Sequence, residues 1–285
     1  MKVKRIRGLF LELVGIFLFL FFLAPFFIVV INSSKANGDI IRDPLSFPIN
    51  WSMLLEHIKA VIHSPNMNYW SSFMNSAIIT ILSLTTIVLF SSMAAWVLVR
   101  NHKKWSTVIF MIFVAAMVIP FQVVMLPLLS WFRRISDISG ISFLSSYTGI
   151  VFAYIGFGSS MTIFILHGFI KNIPYELEEA ALIDGSSPEG VFFRIILPLL
   201  KPVQMTVLIL NGIWIWNDFL LPSLMLGLNG KVKTLPLAVT SFVGSYVKQW
   251  DLILTSTLLA MLPVVILFLF AQKYIIKGMV EGAIK

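Results

Sequence analysis

Long apolar runs separated by shorter polar stretches dominate the chain. Six of them are long enough to cross a bilayer, which takes about 20 apolar residues in a helix. They lie near residues 9–32, 73–98, 107–129, 148–170, 203–226 and 252–275. Lipid offers no partners for backbone N–H and C=O groups, so such spans are helices rather than open strands. Pro120 and Gln122 in the third run, and Pro263 in the sixth, mark expected bends. The pattern predicts an all-α polytopic membrane protein with six transmembrane helices, in one transmembrane domain over residues 1–285.

The apolar rhythm stops at residues 171–202, in the connection between the fourth and fifth runs. Glu176, Glu178 and Glu179 open this segment after Pro174. Proline suits a first helical turn, and carboxylates suit the positive end of a helix. Ala180, Ala181, Leu182 and Ile183 follow as a small apolar face. Gly185 is placed to end the helix in a positive-φ conformation. Ser186 and Glu189 fit a capping box for a second helix, with Pro188 in its first turn. That helix carries Val191, Phe192, Ile195 and Ile196 and is expected to stop before Pro198. The whole segment reads as a helical hairpin in water at a membrane surface.

Composition agrees with the pattern. The chain is 58% hydrophobic and 12% charged, against about 25% charged in a typical soluble domain. Net charge is +8. Basic residues beside apolar runs set topology and contact anionic membrane lipid, so nucleic acid is not implied. Cysteine is absent, which removes disulfides, thiolate chemistry and cysteine metal sites. The first run follows Lys2, Lys4, Arg5 and Arg7 and outlasts the ~7–15 residues of a signal-peptide core, so it reads as a retained anchor. With the amino terminus inside, the N-terminal tail, the even-numbered connections and the C-terminal tail hold 13 of the 21 Lys and Arg residues. Both termini and the 171–202 loop then face the cytoplasm. Residues 33–70 form an outer loop with a short amphipathic helix expected near 52–62, serving either as a connector or as a contact for an external partner.

The spacing Glu179-Ala180-Ala181, three residues, Gly185, nine residues, Ile195-x-Leu197-Pro198 resembles the EAA loop of ABC-importer permeases. Asn75-Ser76-Ala77, Trp216-Asn217-Asp218-Phe219 and the tail from Gln272-Lys273-Tyr274 to Gly282-Ala283-Ile284-Lys285 resemble the carbohydrate-uptake branch, similar to the smaller permease of the maltose system. The resemblance covers nearly the whole chain. It implies a type I ABC importer permease fold in a prokaryotic cell membrane, with a coupling helix in the 171–202 loop. Glu179, Ala180, Ala181, Gly185, Ile195, Leu197 and Pro198 would then serve ATPase coupling. The implied partners are a second homologous permease forming a heterodimer, two cytoplasmic ATP-binding subunits and an extracytoplasmic sugar-binding protein. ATP and Mg would be bound by the ATPase subunits. This chain holds no GxxxxGK[ST] phosphate loop: Gly227 and Gly230-Lys231 have the wrong spacing and Val232 follows.

Trp214, Trp216, Asn217 and Asp218 lie deep in the fifth run, where polar groups face a cavity or a partner. They line a sugar path or bond between permease helices. Asn75 and Ser76 cap the second span or reach that path. Arg133, Arg134 and Asp137 are an outer rim or a contact for the binding protein. The four histidines are not spaced as metal ligands, and no cofactor is expected in this chain. Two other readings stay open: an importer of a non-sugar solute, and an autonomous secondary transporter, which typically carries internal repeats and several deep carboxylates.

Overall fold

The computed structural model describes the backbone of residues 2–228, 230–244 and 248–283, and their side chains except 2–7, 271 and 273–283. The tail beyond Gln272 therefore lies outside the described side chains. In chain order the helices are α1 (Lys2–Asn32), α2 (Asn37–Arg42), α3 (Ser52–His63), α4 (Tyr69–Arg100), α5 (Lys104–Ala116), α6 (Phe121–Ser139) and α7 (Tyr147–Ile170). They continue as α8 (Glu176–Ile183), α9 (Pro188–Val191), a π turn (Phe192–Ile196), α10 (Leu197–Leu199), α11 (Lys201–Asn217), α12 (Leu220–Met225), α13 (Leu235–Ala238) and α14 (Trp250–Ala283). Among the described residues no strand forms beyond an isolated bridge between Val243 and Lys248.

Four helical stretches are long and apolar enough to cross a membrane: Gly8–Asn32, Tyr69–Arg100, Tyr147–Ile170 and Trp250–Phe270. Two bent pairs raise the number to six if each pair is one span. The expected third span is not one rod, because α5 and α6 meet at 107°. Pro120 sits between them in an extended conformation and disfavours helix at Ile119 before it. The expected fifth span is interrupted too. Helix α11 stops at Asn217 and Asp218 turns extended. At 1.5 Å per residue a 17-residue helix covers about 26 Å, short of the ~30 Å hydrocarbon core. Pro263, by contrast, lies inside the continuous α14.

The chain divides into two compact units, Met1–Trp70 with Ala238–Leu262, and Ser71–Leu237 with Pro263–Lys285. In the first, α1 exposes nearly every large apolar side chain from Leu9 to Phe27 and becomes buried only at Ile31 and Asn32. Such an unbroken apolar surface belongs against lipid or another protein. Beyond it the chain bonds internally at several points. Buried Lys35 donates from Nζ to Asn32 Oδ1 at 3.2 Å and to the Asp43 carbonyl at 3.0 Å. His57 of α3 bonds through Nδ1 to the Ser33 carbonyl at 2.8 Å, and its Nε2 lies 3.7 Å from Asp251 of α14.

In the second unit α4, α7 and α11 pack closely. A Cβ on Gly158 would stand 2.6 Å from Ile87 Cδ1 and 3.0 Å from Asn211 Oδ1, so glycine sets the helix separation there. Polar side chains bond across the same interfaces. Asn211 donates to Thr162 Oγ1 at 3.1 Å, and Gln204 donates to Ser92 Oγ at 3.2 Å. One apolar cluster holds Ala95, Ile163, Leu166, Ile170, Ala181, Phe192 and Ile196, which joins the 171–202 hairpin to the ends of α4 and α7.

Candidate functional site

The first helix of the hairpin begins at Glu176, two residues later than Pro174 predicts. Tyr175 is the N-cap of α8, and its carbonyl receives the Glu178 and Glu179 N–H groups at 2.9 and 3.1 Å. Pro174 precedes the helix. At the other end the expected glycine turn is present: Gly185 has φ +85°. Its N–H bonds to the Leu182 carbonyl at 3.1 Å, and the Ser186 N–H bonds back to Ala181 at 2.9 Å. This 6→1 and 5→2 pair is a Schellman closure, which satisfies carbonyls that a helix end would leave bare. Ser186 is therefore spent on ending α8. The cap of α9 is Ser187, whose hydroxyl accepts from Gly190 N at 3.2 Å with Pro188 in the first turn. The Glu189 carboxyl lies below the usual range because its own N–H and the Ser187 hydroxyl bond to its charged form.

The helix does not stop before Pro198. It widens into the π turn, where the Leu197 N–H reaches back five residues to the Phe192 carbonyl, and then continues through Pro198 to Leu199. Proline lacks an N–H and its ring clashes with the carbonyl four residues earlier. Wider winding before Pro198 relieves that clash, and π turns of this kind concentrate at functional positions.

Four consecutive residues cannot share one helix face at 3.6 residues per turn, and Ala180–Ile183 do not. Ala181 is buried in the apolar cluster, whereas Ala180, Leu182 and Ile183 face outward. Ile183 is 86% exposed, and Tyr175 and Leu177 are exposed beside it. The motif residues thus separate. Ala181, Ile195 and Leu197 pack inward, while Glu179, Ala180, Gly185 and Pro198 are exposed.

The inward face also holds a charge. Glu178 is only 2% exposed. Arg100, the last residue of α4, reaches its Oε1 with Nε and Nη2, both at 2.7 Å. Trp96, one helical turn earlier, donates from Nε1 to Oε2 at 3.0 Å. Arg100 Nη2 also donates to the Ile173 carbonyl at 3.0 Å, and its guanidinium lies 5.5 Å from the Tyr175 ring centre. Nothing in the hairpin's own sequence singles out Glu178 from its neighbours. The readable signal was elsewhere, in Trp96 and Arg100 at i and i+4 where an apolar span ends.

Residues 87–281 match the family described as binding-protein-dependent transport system inner membrane component. The chain belongs to this family. It is 41% identical, over the full length of both chains, to the probable starch degradation products transport system permease protein AmyC of Thermoanaerobacterium thermosulfurigenes. It is 35% identical over 267 residues, 92% of this chain and 91% of the relative, to the melibiose/raffinose/stachyose import permease protein MelC of Bacillus subtilis. A crystal structure of a bacterial ABC transporter involved in import of the acidic polysaccharide alginate has a chain with the same fold, at TM-score 0.76 and 19% identity over 96% of this chain and 98% of that one. The protein is a multi-pass transport permease.

In this permease the deep polar residues of the fifth run are largely occupied. Asp218 sits at the break after α11, not inside a helix. Its Oδ1 accepts from the Leu220 and Leu221 N–H groups at 2.9 and 3.4 Å, which starts α12. Its Oδ2 accepts from the Tyr154 hydroxyl at 3.1 Å. Asn217 is exposed and bonds to the Ile213 carbonyl of its own helix. Trp216 meets Phe73 edge-on at 5.6 Å, and Trp214, 41% exposed, meets Tyr154 edge-on at 5.5 Å. Asn75 and Ser76 lie beyond the first turn of α4 and do not cap it. Asn75 accepts from the Tyr147 hydroxyl at 2.6 Å and donates to the Lys233 carbonyl at 3.0 Å, while Ser76 accepts from Leu235 N at 2.7 Å. They fasten the segment before α13 to α4 and α7. Arg133, Arg134 and Asp137 are exposed on α6.

Proposed function

We propose that this permease is one half of the translocation path of an ATP-driven importer for an oligosaccharide. A second, homologous permease supplies the other half. The 171–202 hairpin faces the cytoplasm with both termini and docks on an ATP-binding subunit. The observation that carries this reading is the two-sided hairpin: its inner face is fastened to the bundle, and its outer face presents Leu177, Leu182 and Ile183 uncovered. Large apolar side chains left exposed around a short helix in water beside a membrane mark a protein contact. The chain lacks a GxxxxGK[ST] loop, so a partner supplies ATP chemistry and Mg. The named sugars of the relatives support an oligosaccharide cargo, delivered by an extracytoplasmic binding protein.

Transport then follows alternating access. ATP binding favours one arrangement of the paired ATPases, and the docked hairpins bias the permease pair toward the same state. Residues 210–220 form the part of the path nearest a helix break, with Trp214 supplying an exposed aromatic face of the kind that stacks on sugars.

The test is purification of the tagged permease from its native membrane, followed by reconstitution in vesicles. A second permease and an ATP-binding subunit should copurify. Hydrolysis should rise when the binding protein carries an oligosaccharide. Uptake by the isolated chain, driven by an ion gradient without ATP, would replace this reading with the secondary-transporter one.

A further inference from the structure

We propose that the Glu178–Arg100 pair is a positioning device that carries hairpin movement into α4. This rests on the docking reading above. The hairpin is covalently continuous with α7 on one side and α11 on the other, so displacement reaches those helices through the chain. Helix α4 ends 75 residues before α8 begins, and has no such link. Its polar contacts with the hairpin are made by Trp96 and Arg100, one turn apart at its end. Arg100 holds Glu178 and the Ile173 carbonyl; Trp96 holds Glu178 and lies 5.4 Å, ring centre to ring centre, from Phe192 of the π turn. Three points of the loop, before α8, within α8 and after α9, thus meet two side chains of one helix.

The chemistry of the contact suits transmission rather than cohesion. Apolar packing slides, whereas a buried ion pair has one good geometry. The carboxylate accepts the Arg100 Nε–H on Oε1, with Nη2 2.7 Å from the same oxygen, and the Trp96 Nε1–H on Oε2, so both oxygens are used. A buried pair adds little net stability over apolar replacements, but removing one partner strands a charge. The guanidinium fork fixes direction as well as distance. The outer face of α8 carries none of these groups, so the pair can be broken without altering the docking surface.

The experiment uses the complete reconstituted importer. Glu178→Gln should keep the ATP-binding subunits bound and their hydrolysis within about twofold, while sugar moved per ATP falls about two- to thirtyfold, the range for residues that modulate coupling. The exchange Glu178→Arg with Arg100→Glu should restore at least half of the loss, which a merely space-filling role would not allow. Native sugar per ATP in Glu178→Gln overturns the proposal, as does loss of the ATP-binding subunits from that variant. Ile183→Asp tests docking separately. If the ATP-binding subunits stay bound to Ile183→Asp at native strength, the docking reading fails, whatever Glu178→Gln does.

Discussion

Replacing Gly185 separates backbone conformation from contact. Its φ of +85° is one that residues with a side chain rarely adopt. A Cβ there meets no atom within 4 Å, so the penalty carries no steric clash with neighbours. Left-handed backbone costs an ordinary residue about 1–2 kcal/mol, which is about five- to thirtyfold in the population of the closed turn. Asparagine tolerates this region, alanine less so, and a β-branched residue least. Opening of the turn should therefore rise in the order Gly, Asn, Ala, Val. Limited proteolysis of residues 183–188 under native conditions reports that population when reclosing outpaces cleavage. Valine should be cut at least about fivefold faster than glycine. Equal rates for asparagine and valine would refute the conformational account. Gly185→Asp adds a charge to a conformation it tolerates, so against Gly185→Asn it isolates electrostatics at the docking face. We expect Gly185→Asp to insert normally and to uncouple uptake from hydrolysis. Native uptake by this variant would remove the turn from the docking surface.

Four further outcomes follow from the same geometry. Gly158→Ala should destabilise the detergent-solubilised protein by about 1–3 kcal/mol through overpacking, and Ile87→Val, which removes the Cδ1 that the new methyl meets, should recover much of it in thermal unfolding. His57→Ala removes the bond to the Ser33 carbonyl and the approach to Asp251, so hydrogen exchange over residues 33–63 should accelerate while that of residues 150–170 stays unchanged. Pro198→Ala restores an N–H and removes the ring clash, so the π turn should contract to α, which a structure of the variant would report as the Leu197 N–H bonded to the Phe193 carbonyl in place of that of Phe192. Acidification protonates Glu189 only below the usual glutamate range; stabilisation of α9 by this group is present at neutral pH and fades as pH falls through that depressed value, which the Glu189 carboxyl chemical shift in the intact, detergent-solubilised protein would follow.

Much of the hairpin was legible because its signals are local. A glycine between two amphipathic stretches marks a positive-φ turn, and Gly185 is one. Serine followed by proline marks a helix start, but the capping-box spacing selects Ser186 for the cap, whereas Ser187 takes it and Ser186 closes α8. The fifth run misled for a related reason. Hydropathy sees Leu220–Met225 as a continuation of α11, but Asp218 prefers to accept backbone N–H groups at a helix start over lying unpaired in a span. Pro120 marks an expected bend, and the 107° angle is larger than a kink because residues 117–120 all leave the helix between α5 and α6.

Glu178 shows where reading a sequence stops. Glu176, Glu178 and Glu179 have the same local chemistry and the same favourable place near a helix start. What distinguishes Glu178 is a cation that lies 78 residues away in the chain and becomes adjacent only when α4 and the hairpin share an apolar cluster. A buried carboxylate of this kind is tolerated only where every oxygen is paired, and that requirement is itself informative. A loop that only had to be soluble would leave all three glutamates in water. Burying one, and meeting it with the final residue of a long helix, spends desolvation on a fixed orientation. That is the property a mechanical joint needs and a passive surface loop does not.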